Sequence, residues 1–297
     1  MSMAVMFQTL VDALARGSVY GLIAVSINIM YLPSKKFNFA QGDFFVLGGL
    51  LSATLLVSKH YSWLSVFPIV LLAGVVLGAV EERVAIWPIA RRDDNSHGWV
   101  LTTLAVSLIV ENVLGLLYVN NLASSVPPVP PLSTLPFHVG GVSINSYEIG
   151  VFVWLWVVVL AATWFSRTRY GKAVLAVAED RSAAVLLGIP ASSVVLGSWA
   201  IGSGLALMGG LIGAPLTSTS IDLGFPMLIR GFEAAAIGGL GENRGAIAGG
   251  YIVAMAEGFG AVIFGPGLRE AAIVGVFVVV LIVRPQGLFG HILLRKV

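Results

Sequence analysis

Eight stretches of this chain are long and apolar enough to cross a membrane, and little else about its fold is left free once they are recognised. A helix spanning the hydrocarbon core needs about 20 apolar residues. Residues 7–30, 42–58, 64–80, 99–119, 149–165, 192–213, 245–264 and 271–283 meet or approach that length. A ninth, 226–240 (PMLIRGFEAAAIGGL), reaches only about 22 Å at 1.5 Å per residue, so it reads as a short or broken helix. No stretch sustains alternation at period two, which argues against a β-barrel. Composition agrees: 57% of residues are apolar and 11% charged, whereas soluble domains carry about 25% charged residues. The expected fold is all-α, a polytopic membrane helix bundle with about eight full transmembrane helices plus the short helix, forming one domain over 1–297. The N-terminal MSMAVMFQTLVDALARGSVYG reads as the start of the first span rather than a signal peptide. The absence of cysteine excludes disulfides and thiolate metal sites.

Charge sets the orientation. Arg167–Pro190 (RTRYGKAVLAVAEDRSAAVLLGIP) carries Arg167, Arg169, Lys172 and Arg181, between long runs without Lys or Arg. Basic connections stay on the cytoplasmic side, so 166–191 is assigned there. The connections 31–41, 81–98 and 241–245 and the C-terminal tail follow, which places 13 of the 17 basic residues on that side. The alternation closes only if 226–240 returns the chain to the inside. The N-terminus then lies outside; a re-entrant 226–240 would break that parity. Residues 120–148, with five prolines and no Lys or Arg, form a stiff outer loop. Such a loop either caps the bundle, meets an external partner or simply connects.

Three polar breaks are candidates for function. Ser34–Phe45 holds Asn38, Gln41 and Asp43 between two spans, and such a break must be buried in protein or line a wet cavity. Asp43 is read as a cap for the following helix; the alternative is a plain capped turn. In Asp222–Ala246, Arg230 and Glu233 are three apart and share a helix face. They are either a structural pair or part of a path through a broken helix. Glu111, beside Asn112, and Glu257 stand singly inside spans, where ionisable groups are costly and face a cavity or a partner. Glycines four apart, at Gly17/Gly21, Gly74/Gly78, Gly209/Gly213 and Gly245/Gly249, read as helix-packing positions.

Chemistry of other kinds is not visible. There is no phosphate-binding G-x-x-x-x-G-K-[ST] sequence. The four histidines show no metal-ligand spacing, and no metal site or catalytic residue is assigned. Ser, His and acidic residues are not arranged for hydrolysis.

Within 167–190 two short helices are expected, Gly171–Ala178 and Arg181–Leu187, with Asp180 capping the second. Their apolar positions Val174, Val177, Val185 and Leu186 suit either a partner's groove or the membrane surface. Ala178–Ile189 (AEDRSAAVLLGI) resembles the cytoplasmic loop of ABC importer permeases. Phe37–Gly49 (FNFAQGDFFVLGG), Arg169–Ile189, Gly231–Gly250 (GFEAAAIGGLGENRGAIAGG) and Val283–Gly290 (VRPQGLFG) together resemble the branched-chain amino acid ABC permease family, its LivH-type subunit. Pro33 and the Lys35–Lys36 pair depart from the apolar lead-in expected before NFAQG.

The resemblance implies a multi-pass inner-membrane permease subunit that is not itself an enzyme. It implies a second, related permease subunit, two ATPase subunits that hold ATP and Mg, and a periplasmic binding protein delivering a small solute. It holds no cofactor of its own and no nucleic acid. On the resemblance, Glu179, Asp180, Ala183, Ala184, Gly188 and Ile189 belong to the loop coupled to the ATPases. Asn38, Gln41, Asp43 and the 226–244 break lie near the translocation path, for which Glu111, Arg230 and Glu233 are further candidates. The competing reading is a stand-alone carrier or channel relaying ions through Glu111, Arg230, Glu233 and Glu257.

Overall fold

The structure is a computed structural model and describes residues 3–92, 97–118, 123–124, 126–139, 141–217 and 219–290. Among these, eight helices are long and apolar enough to cross a membrane, and the fold is an all-α polytopic bundle. α1 spans Met3–Ser34 and α2 spans Gln41–Ala53, prolonged by a π-turn at Thr54–Ser58. α3 (Trp63–Glu81) runs through a second π-turn, Glu82–Ile86, into α4 (Trp87–Arg92), and α5 follows at Gly98–Leu117. Three strand segments come next: β1 (Ala123–Ser124), and β2 (Pro136–Val139) paired antiparallel with β3 (Val142–Asn145). α6 (Ser146–Arg167), α7 (Arg169–Glu179), α8 (Arg181–Leu186) and α9 (Ala191–Thr217) lead to β4 (Thr219–Ser220), which pairs with β1. α10 (Gly224–Gly238), α11 (Asn243–Phe264) and α12 (Arg269–Val283) complete the chain.

Burial divides the helices into a core and a shell. In α1 and α9, 72% and 78% of the membrane-length window is buried, against 11% in α5 and 6% in the segment containing α12. Lipid is as apolar as leucine, so close helix approach rests on small residues rather than on escape from water. All four glycine pairs read from the sequence lie at helix contacts. A Cβ on Gly17 would meet Tyr251, and one on Gly21 would meet Leu155. Gly74 and Gly78 lie against Gly204 and Ser203, Gly209 and Gly213 against Phe45, Gly245 against Gly238, and Gly249 against Ala234. A Cβ on Gly48 would fall 2.0 Å from the Leu207 carbonyl oxygen, so the α2–α9 contact has no room for any side chain.

These contacts fix directions. Gly17 meets Gly250 while Gly258 meets Thr9, so α1 and α11 are antiparallel. Gly202 meets Ser26 and Gly213 meets Val19, so α9 is also antiparallel to α1. α10 packs antiparallel on α11, with Gly238 at Gly245 and Ala234 at Gly249, and it carries the chain back between two parallel helices. The first helix begins beside the β2–β3 hairpin, where Gln8 bonds the Ser143 backbone. α7 and α8 lie at the other end of α6. The start of the chain and the α7–α8 platform are therefore at opposite ends of the bundle.

One expectation needs correction. Residues 81–92, read as part of a connection, continue the third helix: the π-turn keeps hydrogen bonding unbroken while Glu81 and Glu82 are both buried. Within 120–148 the described residues include β1, the β2–β3 hairpin and turns; 120–122, 125 and 140 lie outside the described residues. Asp93–Ser96 and the tail with Arg295 and Lys296 also lie outside the described residues.

Candidate functional site

Polar side chains gather in three places. The first is the break between α1 and α2. Asn38 Nδ2 donates to Glu81 Oε2 at 2.6 Å and to Gln41 Oε1 at 3.3 Å, while its Oδ1 accepts from the Ala40 N–H at 2.8 Å. Gln41 Nε2 donates to Ser26 Oγ (2.8 Å) and to the Gly202 carbonyl (3.0 Å). One short break is thus tied to α1, α3 and α9. Gly202 lies about 11 residues, hence about 16 Å, into α9, so α2 begins well inside the bundle. Asn38 holds the turn that opens α2, a role expected of Asp43. Asp43 lies in the first turn and accepts from Ser107 Oγ on α5 at 2.5 Å. Its other oxygen abuts Gly224, where a Cβ would stand 2.0 Å away. The carboxylate therefore sits at the N-terminal turn of α10, the end of a helix dipole that favours negative charge. Glu111 is one helical turn beyond Ser107; it is exposed and joins neither Asn38–Gln41 nor Arg230–Glu233.

The second gathering is charged. Glu257 on α11, 1% exposed, accepts from Tyr20 Oη at 2.6 Å and has three guanidinium groups around it: Arg269 at 2.6 Å, Arg16 at 3.6 Å and Arg230 at 3.8 Å. Arg230 also meets Glu233 at 3.3 Å and holds both oxygens of Glu270 at 2.5 and 2.6 Å. α10 supplies Arg230 and Glu233, α1 supplies Arg16 and Tyr20, and α12 supplies Arg269 and Glu270. Three cations thus face three carboxylates, the arrangement a buried charge requires. A cavity of about 470 Å³ opens beside this network, between α1, α11 and the start of α12.

The third is the α7–α8 platform. Thr168 caps α7 through the Gly171 N–H, and Asp180 caps α8 through the Ala183 N–H at 2.9 Å, as the sequence suggested. Gly188 has φ +82° and closes α8: its N–H bonds the Val185 carbonyl, and that of Ile189 bonds Ala184. Ala184 is buried and Ile189 half-buried, whereas Glu179, Asp180, Ala183 and Gly188 are exposed. Val177 packs inward at 3% exposure, but Leu186 and Leu187 stand 88% and 80% exposed.

Sequence reasoning missed Glu81, Asp12, Arg16, Tyr20, Arg269 and Glu270 as site residues. Arg16 was visible as a cation within a span; Glu81 carried no signal beyond its place at the end of an apolar run. Among the described residues no group of His, Asp and Glu is arranged to hold a metal ion.

A bundle of eight membrane-length helices, with the 15-residue α10 set among them and polar groups at the breaks, marks an integral membrane protein. A family model described as the permease component of the branched-chain amino acid transport system matches residues 9–284, and the chain belongs to that family. It is 30% identical to the high-affinity branched-chain amino acid transport permease BraD of Pseudomonas aeruginosa, over 98% of this chain and 97% of that one. Against the LivH permease of Escherichia coli it is 27% identical over the same shares. Against a probable LivH permease of Methanocaldococcus jannaschii it is 26% identical over 91% of this chain and 88% of the other.

Proposed function

We propose that this chain is the membrane-spanning permease subunit of an ATP-driven importer for branched-chain or related amino acids, seated in the cell's inner membrane. It forms the translocation path with a second, related permease subunit and receives its stroke from two ATPase subunits, which hold the ATP and Mg. An external binding protein delivers the solute at the hairpin end. The path runs past the α1–α2 break, which Asn38 and Gln41 hold in shape from within, and past the short helix α10, with Asp43, Glu111, Arg230 and Glu233 as its polar groups.

The observation that carries the coupling is the platform's exposed apolar tip. Val185, Leu186 and Leu187 are consecutive, large and 54%, 88% and 80% exposed, on a connection rich in basic residues. Three such side chains at the end of a six-residue helix fit a hydrophobic groove in a partner. Glu179, Asp180, Ala183, Ala184, Gly188 and Ile189 build and flank that tip. The charged network speaks against a stand-alone proton relay, because each of Glu233, Glu257 and Glu270 is matched by a guanidinium.

Gly188→Trp tests the coupling. At φ +82° a non-glycine residue costs about 1–2 kcal/mol, which tilts the tip without reaching the bundle: no atom lies within 4 Å of a Cβ there. In the assembled transporter, uptake falls about tenfold while ATP hydrolysis persists. Normal uptake at normal expression would refute the coupling role.

A further inference from the structure

We propose that the cavity between α1, α11 and the start of α12 is a binding site for a zwitterionic amino acid with a small aliphatic side chain, its carboxylate held by Arg16 and Arg269 and its ammonium by Asp12. The proposal rests on the permease reading and gives it a place in the chain.

Three features of the cavity point this way. Its volume, about 470 Å³, is within the ordinary range for small-molecule sites of about 300–1,000 Å³. Its walls are of two kinds. Ala13, Ala254, Gly258, Ala261 and Val262 contribute small apolar surface, while Asp12, Arg16, Arg269 and Glu270 contribute charges of both signs. A solute carrying both charges next to an aliphatic tail matches that division; a sugar or a simple cation does not.

The charged wall also has capacity to spare. Arg269 Nε is buried without a hydrogen-bond partner, and so is Glu257 Oε1 beside it. Arg269 and Glu257 touch as ions, but their contact is not aligned as a hydrogen bond. A buried N–H left unpaired carries a desolvation cost that an incoming acceptor removes, and a carboxylate on a guanidinium is the strong form of that contact. Arg16 is 52% exposed and 3.6 Å from Glu257, so it can turn toward a ligand while Arg230, Arg269 and Tyr20 still surround that carboxylate. Asp12 is engaged by Gln8 Nε2 at 2.8 Å, which leaves its other oxygen for an ammonium. Half-exposed charges within membrane-spanning helices belong to a watered path or a partner rather than to lipid.

The chain contains no cysteine, so one introduced thiol reports on its own surroundings. Ala261→Cys places it in the cavity wall, and Leu135→Cys places a control on the exposed hairpin end. Both are treated with a maleimide in membranes containing the whole transport system. At about 100 mM L-valine, a site with a Kd of order 10 mM slows Ala261→Cys labelling about tenfold. Isobutylamine and 3-methylbutanoate, each lacking one of the two charges, slow it less than about twofold. Labelling of Leu135→Cys does not change. Asp12→Asn or Arg269→Lys, added to Ala261→Cys, abolishes the protection, read as the ratio of labelling rates with and without L-valine for each variant.

Unchanged labelling with L-valine, or equal protection by the amine and the acid, overturns the site. If uptake by the same membranes persists in that case, the permease reading stands and only this site falls. If the system carries no amino acid at all, the permease reading fails and this site fails with it.

Discussion

The two polar gatherings inside the bundle solve the same problem in opposite ways. Around Asn38, Gln41 and Glu81 the work is done by amide and hydroxyl hydrogen bonds, with Asn38 and Gln41 at 3% and 0% exposure. Around Glu257 it is done by formal charge, and the surrounding groups open progressively to 41%, 52% and 67% exposure at Arg269, Arg16 and Glu270. The first is sealed by α1, α3 and α9 and ties a chain break to three helices. The second lies beside a cavity and is joined from four helices. Amide bonds suit a fixed joint, since the Asn38 and Gln41 side-chain amides are committed to partners on three helices. A charged network with exposed members can exchange one partner for a ligand and remain compensated. The contrast assigns rigidity to the α1–α2 break and exchange to the α10–α12 side.

The largest test of that contrast removes Arg230. Arg230→Leu leaves Glu233 and Glu257 buried with one counter-charge fewer, and breaking a buried ion pair costs about 3–5 kcal/mol. Detergent-purified protein is expected to show a markedly lower melting temperature, and Arg230→Lys to recover part of the loss. Equal melting of Arg230→Leu and the parent would mean that the network is already solvated, and the contrast would fail. Asn38→Leu comes next. It deletes the donor to Glu81 and the acceptor of the Ala40 N–H, and within membranes such bonds average about 0.6 kcal/mol each with a maximum near 1.7. A loss of about 1–2 kcal/mol is expected, read in the same melting experiment. Gln41→Leu, which frees Ser26 and the Gly202 carbonyl, should match it.

What could be read from the sequence follows from what is local. Spans are set by runs of apolar residues, so the eight predicted stretches lie within the observed helices to a few residues, with 99–119 overrunning the end of α5 and most others extended. The Arg230–Glu233 pair and the Asp180 cap depend on spacings of three residues and were legible for that reason. Glu81 was not, because AVEERVAIWP looks like the polar end of a span. Only the π-turn and the distant Asn38 turn those carboxylates into buried ones. Glu257 and the Arg230–Glu233 pair were singled out in the sequence, yet their meeting with Arg16, Arg269 and Glu270 depends on how α1, α10, α11 and α12 cross. The order of charges along the chain does not encode that crossing. Asp43 shows the same limit: its position suggested a cap for its own helix, while its partners are Ser107 on α5 and the start of α10.

The smallest expected stability effect is the most discriminating. Glu270 is 67% exposed, and an exposed ion pair contributes about 0–1 kcal/mol. Glu270→Gln is therefore expected to melt within about 4 °C of the parent, since 1 kcal/mol moves the midpoint of a larger domain by only about 2–4 °C. It keeps the shape of the side chain and one acceptor for Arg230, but removes a charge from the cavity wall. If that wall serves a passing zwitterion, uptake at limiting solute falls while melting hardly changes. A fixed structural joint would show the reverse coupling: any change in uptake would follow the change in melting. Measuring both on Glu270→Gln and on Asn38→Leu separates the two cases. The sealed break predicts that uptake and stability decline together, and the open network predicts that they part.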